Sequence, residues 1–117
     1  MIELKSAQQI ELMRAAGKIV AETHKLVKEE AKPGVSTLKL DKLAEEYIRS
    51  QGATPSFKNY NGYPATLCIS IDDQVVHGIP SKKRLIKEGQ LVSIDVGAKK
   101  DGYHGDAARS FYIGGPD

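Results

Sequence analysis

Asp101-Gly102 stands between two runs of alternating character, Leu91-Val92-Ser93-Ile94-Asp95-Val96 before it and Arg109-Ser110-Phe111-Tyr112-Ile113 after it. An Asp-Gly pair between two such runs is a strong signal for a two-residue hairpin turn, and a turn placed there fixes the register of both strands. With Lys100 facing Tyr103, Asp95 comes opposite Ala108 and Asp106 opposite Gly97. Side chains alternate together on paired strands, so both carboxylates are expected on one face of the sheet. As diagonal cross-strand neighbours their backbones would lie roughly 7 to 8 Å apart. Two like charges that close on a half-buried surface repel, which calls for a cation between them. A divalent metal ion, or a pair of them, is one reading, because carboxylates can chelate one ion and bridge two. A solvated sheet face is the other, acidic residues being common on exposed strands.

Upstream of the hairpin the periodicity is helical. Ser6-Ala7-Gln8-Gln9 is a capping-box pattern, and Ile10, Met13, Gly17, Val20, His24 and Val27 follow at spacings of three and four. This predicts a long amphipathic helix in which His24 belongs to the packed stripe. The helix stops before Pro33-Gly34; Ser36 or Thr37 then caps a second helix with the stripe Leu40, Leu43, Ala44, Tyr47 and Ile48, closed by Gly52. Phe57 to Pro64, rich in aromatic and turn residues, reads as a loop able to line a pocket. Leu67-Cys68-Ile69-Ser70-Ile71 and Gln74-Val75-Val76-His77, flanking Asp72-Asp73, read as a first hairpin ahead of the aspartate hairpin. Two helices followed by strands describe an α+β chain with helices on one face of a mainly antiparallel sheet.

Bulk properties exclude several classes. The 117 residues, 40% hydrophobic and 27% charged, suit a single globular domain over residues 1–117. The net charge is +2 and the seventeen basic residues are scattered, with short clusters only at Lys82-Lys83-Arg84 and Lys99-Lys100, which gives no sign of specific nucleic-acid binding. No apolar run approaches the roughly 20 residues a bilayer-spanning helix needs, and the N-terminus lacks a secretory pattern, so no membrane association is expected. Cys68, the sole cysteine, forms no internal disulfide, and its expected role is packing in a reducing cytoplasm.

Taken in order, Pro33-Gly34-Val35-Ser36-Thr37, Leu40-Asp41, Asn61-Gly62-Tyr63-Pro64, Cys68-Ile69-Ser70, Val76-His77-Gly78-Ile79-Pro80, Ile94-Asp95-Val96 and Asp101-Gly102-Tyr103-His104-Gly105-Asp106 resemble the type I methionine aminopeptidases. The resemblance runs over essentially the whole chain but covers only the N-terminal half of that family's catalytic domain. It implies half of a pita-bread fold, in which two similar α+β halves meet around a dinuclear metal site. The implied activity is hydrolytic removal of N-terminal methionine from nascent proteins and peptides.

Carried over position by position, the resemblance makes Asp95 the bidentate ligand of one metal and Asp106 the carboxylate bridging two. Aminopeptidases are among the enzymes for which two ions about 3.5 to 4 Å apart are the recognised pattern. The identity of the ions, among Co, Mn, Fe, Zn and Mg, is not set by carboxylates alone. His77 matches a histidine that helps stabilise the tetrahedral intermediate, a catalytic and substrate-binding role that suits an imidazole. By itself it reads rather as a strand-end histidine satisfied by neighbouring backbone. Tyr60, Tyr63 and Cys68, with Phe57 a looser match, fall where the family lines its pocket for the methionine side chain, a soft aromatic setting for a thioether. His104 alternates onto the face of Asp106, but the resemblance gives it no ligand role. The segments around Cys68 and His77 argue against the prolidase-like and creatinase-like relatives.

The resemblance places the remaining ligands, one histidine and two glutamates, in the half that would follow. Two readings result: a methionine aminopeptidase segment, and a non-catalytic half-fold module, truncated or naturally short, that self-associates and binds peptide or metal weakly. Two copies paired about a true twofold would bring Asp95 and Asp106 of each together, in keeping with the symmetry preference of homo-oligomers.

Overall fold

A computed structural model describes residues 6–58, 62, 64–72 and 79–114. Helix α1 spans Ala7–Glu30 and α2 spans Thr37–Ser50; the strands are β1, Thr54–Pro55, β2, Leu67–Ile71, β3, Leu91–Lys100, and β4, Tyr103–Tyr112. This is the expected α+β arrangement: two helices packed on an antiparallel sheet.

The helix starts follow from local chemistry. Ser6 Oγ accepts from the Gln9 amide at 3.1 Å while Gln9 Oε1 accepts from the Ser6 amide at 2.8 Å, so two amides otherwise left without helical partners are satisfied reciprocally. Ser36 caps α2 by accepting from the Lys39 amide. Thr37, the other candidate cap, is buried instead, exchanging hydrogen bonds with the backbone of Ser81.

Strand β3 is the spine of the sheet. It pairs antiparallel with β1 and β2 along one side and with β4 along the other. Strand β2, expected to form a hairpin with the segment after it, pairs with β3; residues 73–78 lie outside the described residues. The aspartate hairpin has the expected register, with Lys100 opposite Tyr103, Asp95 opposite Ala108 and Gly97 opposite Asp106. Asp101 and Gly102 both take positive φ, 51° and 85°, the backbone a two-residue turn of this hand requires.

One face of the sheet is apolar and covered. Leu67, Ile69 and Ile71 of β2 and Val92, Ile94, Val96 and Ala98 of β3 are buried there with Val20 and Val27 of α1 and Leu40, Ala44 and Ile48 of α2. Each large aliphatic side chain in such a set stabilises the fold by roughly 1.5 to 3 kcal/mol relative to exposure. His24 is buried in this layer, its Nε2 2.8 Å from the Ala107 carbonyl, which confirms the packing role.

The α1 stripe departs from expectation at its start. Ile10 and Met13 are each 41% exposed, whereas Ala16, Ile19, Val20, Thr23, His24 and Val27 are buried. The helix meets β4 where Gly105 packs on the backbone of Ala16 and Gly17. Gly105 is only three residues from the turn, so the preceding helical turns have little sheet left to cover.

Candidate metal centre

The opposite face, which neither helix covers, is polar and carries both aspartates. In register, Cys68 stands opposite Asp95 on β2, Ala108 opposite Asp95 on β4, and Asp106 opposite Gly97. Alternation therefore puts Cys68, Asp95, Gly97, His104 and Asp106 on one face, with Ser93 and Ser110, whose hydroxyls lie 2.7 Å apart, further along it. Asp95 is half-buried and the Asp106 side chain is 62% exposed.

Asp95 feels both its burial and its neighbour. Burial, and next the charge of Asp106, push the Asp95 carboxyl above the usual carboxylate range, partly offset by His24 beneath the sheet. Among the described residues no lysine or arginine forms an ion pair with either aspartate; the contact made is His104 Nε2 to Asp106 Oδ2 at 3.7 Å. The Nδ1 of His104 lies 2.7 Å from Ser56 Oγ. Hard oxygen donors, mutual repulsion and the lack of a lysine or arginine partner among the described residues fit a divalent cation. Among the described residues, however, no group of three or more His, Cys, Asp or Glu is placed to hold a metal. The described residues therefore offer two carboxylates rather than a closed coordination set.

Phe57 was the looser pocket candidate, yet it sits close to the pair. A Cβ built on Gly97 would meet Ser56 Cβ at 3.0 Å and the Phe57 ring at 3.2 Å, so the ring lies over the one position between the two aspartates where a side chain is missing. A glycine inside a strand signals such a close approach. Phe57 also lines a cleft of about 660 Å³ with Pro55, Ser56, Lys99 and His104. Cys68 is half-buried on the aspartate face, opposite Asp95. His77, Tyr60 and Tyr63 lie outside the described residues.

The sequence reading missed the support beneath this face. Asp41 of α2 is buried, and its Oδ1 accepts from the backbone amides of Thr66 at 2.9 Å and Leu67 at 2.7 Å. One turn on, Glu45 Oε1 lies 2.6 Å from Lys58 Nζ, and the Thr66 hydroxyl donates to it at 3.3 Å. A carboxylate at a buried position of a helical stripe was the available signal, since such a group must find donors.

The pattern of metallopeptidase family M24 matches residues 11–117. The chain belongs to this family. It is 54% identical over 114 residues to the methionine aminopeptidase of Clostridium acetobutylicum, which takes in 97% of this chain and 46% of that protein. Among solved structures, methionine aminopeptidase from Rickettsia prowazekii matches with a TM-score of 0.90 and 40% identity, covering 98% of this chain and 46% of that one. The enzyme of the same name from Thermotoga maritima gives 0.91 and 39%, covering 100% of this chain and 47% of that one. The M24 chain thus has half of the pita-bread fold and spans about half the length of the curated relatives it matches.

Proposed function

We propose that this M24 chain forms one wall of a methionine aminopeptidase site, acting on peptides and nascent chains that begin with methionine. The carrying observation is the Asp95 and Asp106 pair, held on one sheet face in the register that makes them neighbours, with no lysine or arginine paired to either among the described residues. Asp95 would chelate one divalent ion and Asp106 would bridge two. Bound there, such ions supply Lewis acidity, which lowers the pKa of water and polarises a carbonyl oxygen.

The chain's own residues do the rest. The β3–β4 ladder fixes the backbone that carries both carboxylates, so they stand side by side before a cation arrives. Phe57 and Cys68, with Tyr60 and Tyr63 by resemblance, offer an apolar, polarisable wall to a methionine side chain. His77 is assigned the donor role toward the tetrahedral intermediate. By resemblance the remaining ligands would lie in a following half; for two copies of this chain, pairing about a twofold axis is the arrangement we favour. It would place four carboxylates in one cleft, and it would use the aspartate face, which neither helix covers, and the outer edge of β4, to which the described residues add no further strand.

A non-catalytic module that self-associates and binds peptide or metal weakly is the second reading. It is favoured by one observation, the two-carboxylate donor set of the described residues. Methionine release from Met-Ala-Ser with Co²⁺ or Mn²⁺, followed across protein concentration, separates the two. The enzymatic reading expects release that grows as the dimer forms and disappears in Asp95→Asn. Metal-dependent peptide binding without release selects the module. Neither binding nor release overturns both.

A further inference from the structure

The supports on α2 hold two residues of the aspartate face, one through each end of the intervening loop. Asp41 and Glu45 are one helical turn apart and so project from the same side of α2. Asp41 Oδ1 takes the amides of Thr66 and Leu67, and the next residue is Cys68, directly opposite Asp95. Glu45 Oε1 takes Lys58 Nζ, and the preceding residue is Phe57, whose ring lies over Gly97. The Thr66 hydroxyl reaches the same Glu45 oxygen, joining the two ends. Arg49 Nε, 2.9 Å from Glu45 Oε2, fixes the other oxygen of that carboxylate.

From this arrangement we infer that Asp41 and Glu45 are positioning residues, a two-carboxylate clamp that sets Cys68 beside Asp95 and Phe57 over Gly97. Their carboxylate oxygens are taken up by Thr66, Leu67, Lys58 and Arg49. Their effect is transmitted along one peptide unit at each end, from Leu67 to Cys68 and from Lys58 to Phe57. Backbone amides bonded to a buried carboxylate and a short ammonium-carboxylate contact are among the stronger hydrogen bonds a protein makes. Burial pushes the Asp41 carboxyl up, and the two amide bonds oppose that shift; the Lys58 contact holds Glu45 below the usual range. Both are consistent with groups held where their donors are, one buried behind the sheet and one at its margin. The methionine-pocket role of the positioned residues rests on the function proposed above; the clamp itself does not.

The sole cysteine of the chain makes the test direct. In Asp41→Ala, modification of the Cys68 thiol by an aromatic disulfide reagent is expected to quicken about tenfold, the scale of losing hydrogen bonds to a charged group. Asp41→Asn should return close to the original rate, because a single oxygen, Oδ1, accepts both amides. In Glu45→Ala the Phe57 ring resonances should shift toward unstructured values. Glu45 is partly exposed, so this variant keeps the test open should Asp41→Ala fail to fold. Exchange of β3 amides and Mn²⁺ binding should stay unchanged in both. Thiol rates and ring resonances indistinguishable from the original would overturn the clamp, as would a loosening shared equally by the β3 amides, which marks a merely structural role. A parallel titration with Met-Ala-Ser separates the clamp from the pocket. Absence of peptide-induced shifts at Phe57 and Cys68 in the unmodified chain, alongside the expected thiol and ring changes, rejects the pocket and leaves the clamp standing.

Discussion

Asp106 faces Gly97 across the β3–β4 ladder, two residues along from Asp95, and its charge reinforces burial in raising the proton affinity of the Asp95 carboxyl. The fold thus bears a repulsion that a bound cation would turn into attraction. Asp106→Asn is therefore expected to weaken divalent-ion binding while stabilising the ion-free chain, by up to about 1 kcal/mol. Thermal unfolding in chelator and in excess Mn²⁺ checks this: the variant should melt higher in chelator and gain less from the ion.

The two strand glycines of the hairpin should respond differently from ordinary surface positions. A Cβ at Gly105 would come within 3.1 to 3.3 Å of the α1 backbone at Ala16 and Gly17, which cannot move aside as a side chain can. Gly105→Ala is expected to destabilise by about 1 to 3 kcal/mol, measured by urea unfolding. Gly97→Ala should displace the Phe57 ring, visible in its resonances, because the close neighbours there are side chains.

His24 supplies a pH dependence whose sign is fixed. Burial lowers its pKa below 6.5, with Arg109 adding to the effect against the Ala107 hydrogen bond and Asp95. The unfolded chain then binds a proton more readily than the folded one, so stability is fully present above the unfolded value. It declines as the pH falls through about 6.5 toward the folded value. The melting temperature should drop between about pH 7.5 and 5.5, and His24→Gln should flatten that slope. An unaltered slope would remove His24 as its source.

The hairpin was the most legible part of the chain because Asp101-Gly102 dictates its own backbone, and one turn sets ten paired positions. The Ser6 and Gln9 cap was legible for the same reason, its chemistry being local. What escaped depended on distant partners. Nothing around Ile10 or Met13 tells where the sheet beneath α1 ends. Asp41 finds its donors twenty-five residues away at Thr66. Gly97 is explained only once Phe57 is seen above it. The metal reading was half legible: register put two carboxylates together, but periodicity within this chain cannot supply ligands beyond them.

Titration of the chain with Mn²⁺, followed by electron paramagnetic resonance or calorimetry, bears most directly on the centre proposed here. The account predicts saturable binding that is lost in Asp95→Asn and in Asp106→Asn and that sharpens as protein concentration drives association. Binding that is absent, or that persists undiminished in both variants, would contradict it.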